Sequence, residues 1–146
     1  MLDEYGDAKV AQALIELRSR AVRLMRSHIG SLPDGCYSFE DVLDNDGVKD
    51  ELLTIALDMT VAGDRLTLDF SRTSAQCAGP VNRSRATAVA ACYVALKHVF
   101  PDVPANAGVL DAVDFVIPDG LVISASRPRQ CERPACQAVR FSGTRR

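Results

Sequence analysis

Residues 53–71 read LTIALDMTVAGDRLTLDFS, and the fold turns on how they are read. Ile55, Leu57, Met59 and Val61 alternate with Thr54, Ala56, Asp58 and Thr60. Beyond Ala62-Gly63-Asp64-Arg65 the alternation resumes, with Leu66, Leu68 and Phe70 against Thr67, Asp69 and Ser71. A period of two puts one apolar set on one face of a pleated strand, so the stretch predicts a β-hairpin buried on one side. Gly63 and Asp64 suit the positive backbone angles of a tight turn, which would fix the register there.

Downstream, residues 72–82 are small and polar, with Thr73, Ser74, Gln76, Gly79 and Asn82, a composition suited to holding something. Gly79-Pro80 stops a continuing strand, and Asn82 or Ser84 can cap a helix that begins near Arg83. That helix carries Ala88, Val89, Cys92, Ala95, Leu96 and Val99 as a nearly continuous apolar stripe. It is expected to lie on the hairpin's apolar face, gathering Ile55, Leu57, Leu68, Phe70, Val89, Cys92 and Leu96 into one core.

Upstream, residues 5–29 read as a helix with Val10, Leu14, Leu17, Ala21 and Leu24 on a buried face and a solvated arc of Lys9, Arg20, Arg23 and Arg26. Pro33-Asp34-Gly35 signals a turn into a short strand at residues 36–39. Residues 40–47 resemble a calcium loop only superficially. With Gly47 as the sixth loop position, Val42 and Leu53 fall where carboxylates are required, so the stretch reads as an acidic surface connection. After the central helix come a turn-rich loop at 101–108, a strand at 112–117, and a Pro118-Asp119-Gly120 turn into Leu121-Val122-Ile123, predicted to pair in the same sheet. The fold class expected is α/β of the α+β type, a mixed or antiparallel sheet with two long helices.

The 146 residues suffice for one domain with a real core. No apolar run approaches the ~20 residues of a membrane span, and the start lacks a signal-peptide pattern, so a cytoplasmic address is expected. The net charge of −2 conceals an asymmetry: residues 127–146 hold six Arg against Glu132, giving +5, and the remainder carries −7. An acidic body without a nucleic-acid motif argues against nucleic-acid binding. The last twenty residues lack apolar periodicity and are expected to be a disordered Arg- and Cys-rich tail.

No self-sufficient catalytic motif is present. His28 and His98 lie near helix ends, where a structural role is the commoner one. His98 and Asp102 are separated by the helix breaker Pro101, and Cys131 and Cys136 lack a second pair for zinc. Cys36, Cys77 and Cys92 read as reduced packing residues. Asp69 stands out because it lies late in a strand just before the polar crossing, a place where sites are often built, with an exposed cross-strand partner as the equal alternative.

Several segments together resemble the hydantoinase B family: Leu32-Pro33-Asp34-Gly35 with Phe39-Glu40-Asp41, Asp69-Phe70-Ser71-x-Thr73-Ser74-x-Gln76, Gly79-Pro80-Val81-Asn82, Pro104-x-Asn106-x-Gly108 and Pro118-x-Gly120. That family holds B-type subunits of ATP-dependent hydantoinases, the matching half of 5-oxoprolinases, and related subunits of acetone and acetophenone carboxylases. The likeness spans residues 5–126. Arg72 stands where the pattern usually has glycine, and Arg83-Ser84-Arg85 is more basic than the pattern. Family members are several times longer, and their amino-terminal metal and substrate segments have no counterpart here. The resemblance therefore implies that residues 1–126 are an internal fragment of a B-type domain and that 127–146 are a tail such as a frameshift or truncation leaves.

It further implies an A-type partner subunit, hydantoinase A-like, that binds ATP and activates a small cyclic amide, hydantoin or 5-oxoproline, for ring opening on its B-type counterpart. No cofactor is expected on this segment, with ATP on the partner and a divalent metal outside these residues. Asp69, Gln76, Asn82 and Asn106 are the positions of the matching motifs that could line a substrate site, and the catalytic residues are not identified. The competing reading is a catalytically silent domain for binding or subunit contact. Neither reading involves nucleic acid or membrane.

Overall fold

The computed structural model describes residues 6–126. The expectation of a disordered tail falls on residues 127–146 and lies outside them. In chain order the elements are α1 (Asp7–Ile29), β1 (Gly35–Leu43), β2 (Leu53–Ala62), β3 (Arg65–Asp69), α2 (Arg85–Val99), a 3-10 helix (Ala107–Ala112) and β4 (Val113–Val116). The sheet order is β1-β2-β3-β4. The first two pairings are antiparallel and β3 with β4 is parallel, so the sheet is mixed, within the expected α+β class. The parallel pair requires a crossover, which α2 and the 3-10 helix supply.

The hairpin forms as the alternation dictates. Ala62 faces Arg65 across a two-residue turn. Only Gly63 there takes a positive φ, at 58°; Asp64 does not. Asp34 reaches the same turn, its Oδ1 accepting from the Gly63 amide at 2.9 Å. Leu53, Val61, Leu66, Leu68 and Phe70 join Ala21, Met25, Ile29, Leu96, Val103 and Val109 in one core, with Ile55, Leu57, Val89 and Cys92 packed against it. Ser84 caps α2, its side chain accepting from the Thr87 amide.

Four local expectations need correction. The strand predicted at 36–39 extends through Leu43, paired with β2 along its full length, because Asp41, Val42 and Leu43 find partners in Ile55, Thr54 and Leu53. The connection that follows is not merely an acidic surface, since Asp46 in it is buried. Leu121-Val122-Ile123 does not join the sheet. Leu121 makes an isolated bridge to Ala75, and the Val122 amide bonds the Ser74 carbonyl, because the crossing segment already occupies that edge. Finally, α1 buries Ala21, Met25 and Ile29 at four-residue spacing, whereas Leu14 and Leu17 in its first turns are exposed. The amphipathic pattern is real, but the Leu14 and Leu17 side chains stay exposed, although Asn106 reaches the Leu17 carbonyl.

Candidate functional site

Asp69, Gln76 and Asn82, three of the four predicted site residues, lie at the crossing between β3 and α2, whose geometry begins at the sheet. β2 is longer than β3, so its amino-terminal half would lack hydrogen-bond partners on that side. Thr73 and Ser74 fill the gap. Thr73 Oγ1 accepts from the Ala56 amide at 3.1 Å and donates to its carbonyl at 3.0 Å. Ser74 Oγ accepts from the Thr54 amide while its own amide donates to the Thr54 carbonyl, both at 2.9 Å. The polar crossing thus acts as a surrogate strand, which is why hydroxyl residues stand there.

Asn82 closes the next turn and is buried. Its Oδ1 accepts from the Cys77 amide at 3.0 Å, and its Nδ2 donates to the carbonyls of Cys77 at 2.8 Å and Gly79 at 3.0 Å. Asp46, from the loop after β1, packs against the same turn. Its Oδ1 accepts from the Val48 and Lys49 amides and its Oδ2 from Gly79 at 3.0 Å. These bonds, led by Lys49, hold the Asp46 carboxyl below the usual carboxylate range against the opposing effect of burial. Sequence reasoning passed over Asp46, although an Asp-Gly pair after a strand is itself a turn signal in which the carboxylate bonds amides two and three residues on.

Half-buried Gln76 ties this layer to the segment after β4. Its amide donates to Gly120 O at 2.7 Å and its Oε1 accepts from the Ser126 amide at 3.0 Å. Asp69 sits at the entry of the crossing, its Oδ1 accepting from Ser71 N at 2.8 Å. Asn106 lies apart, capping the 3-10 helix through Gly108 N at 2.8 Å and donating to Leu17 O of α1 at 3.2 Å. A Cβ on Gly108 would stand 2.5 Å from Arg18 O, so the Asn-x-Gly motif is what lets the 3-10 helix seat on α1. Gln76 and Asn82 therefore share one loop cluster with Asp69 at its margin, and Asn106 belongs to a helix contact. All four side chains hydrogen-bond backbone groups.

On the outer sheet face Asp58 and Asp69 are direct cross-strand partners. Arg72 offsets this like-charge pair, donating to Asp58 Oδ2 at 2.7 Å and Oδ1 at 2.8 Å and reaching Glu40 as well. With a further bond from Ser38 at 2.6 Å, the Asp58 carboxyl is pushed down to about 2, Arg72 being the larger cause. His28 stacks on Phe100 with ring centroids 5.0 Å apart and pairs with Asp102 at 2.9 Å. His98 Nδ1 donates to Val94 O at 2.8 Å, so both histidines are engaged as their helix-end positions anticipate.

Among the described residues no group of three or more His, Cys, Asp or Glu side chains could hold a metal ion. The described side chains by themselves thus do not fit the divalent metal that the resemblance implies. A surface depression of about 300 Å³ is lined by Asn45, Gly47, Val48, Lys49 and Asp50. It includes none of the four predicted positions and lacks the apolar walls typical of a ligand cleft. No described helix is long and apolar enough to cross a membrane.

A mixed four-stranded sheet with two long helices, laced by a polar crossing that stands in for a strand, defines the class. The sequence profile described as hydantoinase B/oxoprolinase matches residues 1–140, and the chain belongs to that family. It is 30% identical over 140 residues to a Pseudomonas sp. (strain NS671) protein provisionally described as the B-type subunit of a D-/L-hydantoinase, covering 88% of this chain and 24% of that one. It is 28% identical over 131 residues to the beta subunit of the Pseudomonas jessenii caprolactamase, covering 88% and 22%. The crystal structure of the ATP-dependent caprolactamase from Pseudomonas jessenii superposes with a TM-score of 0.77 at 28% identity, over 88% of this chain and 22% of that one. A nucleotide-free acetone carboxylase shares the fold, with a TM-score of 0.76 at 17% identity over 85% and 18%. The chain thus spans less than a quarter of the length of these relatives, two of which are by name subunits.

Proposed function

We propose that this chain is a scaffold portion of the B-type subunit of an ATP-dependent cyclic amide hydrolase, acting in the cytoplasm with an A-type subunit that binds ATP. The observation that carries the reading is the joint likeness, in sequence and in fold, to an ATP-dependent caprolactamase. An amide carbonyl is a poor electrophile. ATP on the partner would activate the amide oxygen, and an oriented acid, base or metal-bound water would complete ring opening. Those groups, and the divalent metal, belong to parts of the B-type polypeptide outside the matched stretch. Asp69, Gln76, Asn82 and Asn106 would then shape one wall of the substrate site through the loops they brace.

The engagement of all four side chains with backbone groups favours a second reading, a silent domain whose role is subunit contact. Hydrolysis of hydantoin, 5-oxoproline and caprolactam is measured with ATP and a divalent metal, with and without an A-type subunit. The chain alone is expected to be inactive. Residues 6–126 exchanged for the matching stretch of the caprolactamase beta subunit should support lactam hydrolysis beside the A-type subunit. A folded but inactive chimera would leave the silent domain, and turnover by the isolated chain that Asp69→Asn abolishes would overturn the scaffold reading.

A further inference from the structure

The edge strand β1 carries few of the devices that keep exposed strands unpaired. Its nine residues pair with β2 without a bulge, from Gly35↔Val61 to Leu43↔Leu53, and include no proline. Among the described residues such a strand offers a free edge about 30 Å long, with backbone donors and acceptors available to another strand. Its side chains are equally bare. Tyr37 and Phe39 stand opposite Met59 and Leu57, on the face that holds buried Leu53 and Val61, yet they are 43% and 65% exposed. The apolar inner face of the sheet runs out onto β1, while α1 packs over β3 and the 3-10 helix.

We propose that the β1 edge is a strand-addition site, and that its occupant is an extended segment of the B-type polypeptide lying outside this chain. This rests on family membership and not on the hydrolase reading. In the two subunits to which the chain is similar, the matched stretch is 22% and 24% of the length, so this fold sits beside more than three quarters of a further polypeptide. A fifth strand would satisfy the backbone edge and lay apolar side chains over Tyr37 and Phe39. A second copy fits less well. Antiparallel self-pairing centred on Phe39 would set Glu40 of each copy diagonal to Glu40 of the other, and like charges across a strand pair destabilise it. A donor strand carrying Lys or Arg at that position meets no such penalty.

The test is hydrogen exchange on the full chain, alone and mixed with a caprolactamase beta subunit from which the matching stretch has been deleted. The mixture is expected to slow exchange of amides 35–43 at least tenfold, and Phe39→Arg should weaken the complex at least tenfold while leaving the free chain's thermal midpoint in place. Should the deletion variant prove insoluble, the same amides are read in the chimera carrying residues 6–126. There they should exchange at least tenfold more slowly than in the free chain, and Phe39→Arg should lower the midpoint of the chimera but not of the chain. Three outcomes overturn the proposal: a folded deletion variant that does not bind, a complex or chimera in which amides 35–43 stay unprotected, or protection that grows with concentration of the chain alone and so reports self-pairing.

Discussion

Gly79 faces the carbonyl of Asp46 so closely that a Cβ there would stand 1.7 Å from its oxygen. Its φ is not positive, so the need for glycine is steric and not conformational. Gly79→Ala must separate two loops held by the bond from the Gly79 amide to Asp46 Oδ2, and should destabilise by roughly 3 kcal/mol in urea unfolding. Asn82→Ala strands the Cys77 amide and two carbonyls in the same turn, at a cost of roughly 2 kcal/mol. Both losses should appear in stability with the fold otherwise retained. On the outer face the pH response has a definite sign. Asp58 in the folded chain titrates near 2, below its ordinary 3.8, so its contribution is complete above 3.8 and is lost as pH falls through about 2. Arg72→Ala should return the Asp58 carboxyl toward its ordinary value in an NMR titration and move the acid-unfolding midpoint to higher pH. An unchanged Asp58 titration would mean that Ser38, not Arg72, holds the carboxylate.

At the scale of elements, burial and exposure separate along single helices. Phe70 is 7% exposed within the core, and Phe70→Ala should cost roughly 3–5 kcal/mol. Leu14 and Leu17, which the helical period placed on the buried face of α1, are 62% and 50% exposed. Replacing both with Gln should change stability by no more than about 0.5 kcal/mol per site. A large loss there would show that the first turns of α1 pack in solution. This contrast marks what was legible. Period two fixed β2 and β3 and the Gly63 turn, because strand alternation is set by the chain's own pleat. Period 3.6 fixed the existence of α1 but not which turns are covered, because coverage depends on elements elsewhere in the chain. Leu121-Val122-Ile123 misled for a related reason, since a short apolar run after a turn reads as a strand whether it joins a sheet or a loop. The crossing was legible as a polar segment, and its Thr73, Ser74, Gln76 and Asn82 side chains all hydrogen-bond backbone groups. Its inward use was not, because sequence does not reveal that β2 outruns β3 and takes Thr73 and Ser74 as substitute partners.

At the scale of the whole molecule, large apolar side chains among the described residues stay exposed on several segments at once. α2 is apolar nearly all round, with Val89, Cys92 and Leu96 on the core and Val94 and Val99 exposed by 52% and 66%. A helix apolar on all sides is ordinarily buried on all sides. Phe39 on β1 at 65% and Ile15 on α1 at 66%, with Leu52 at 67% just ahead of β2, add to the uncovered area. The folded chain at neutral pH should therefore bind the dye ANS strongly while retaining a cooperative thermal transition. Val94→Ser combined with Val99→Ser should lower the dye fluorescence and leave the midpoint within a few degrees, because neither side chain contributes to the core and surface changes of about 0.5 kcal/mol shift it by no more than that. If the native chain binds no dye, its apolar faces are covered in solution, and if the double variant instead unfolds, α2 packs through a face that these contacts leave open.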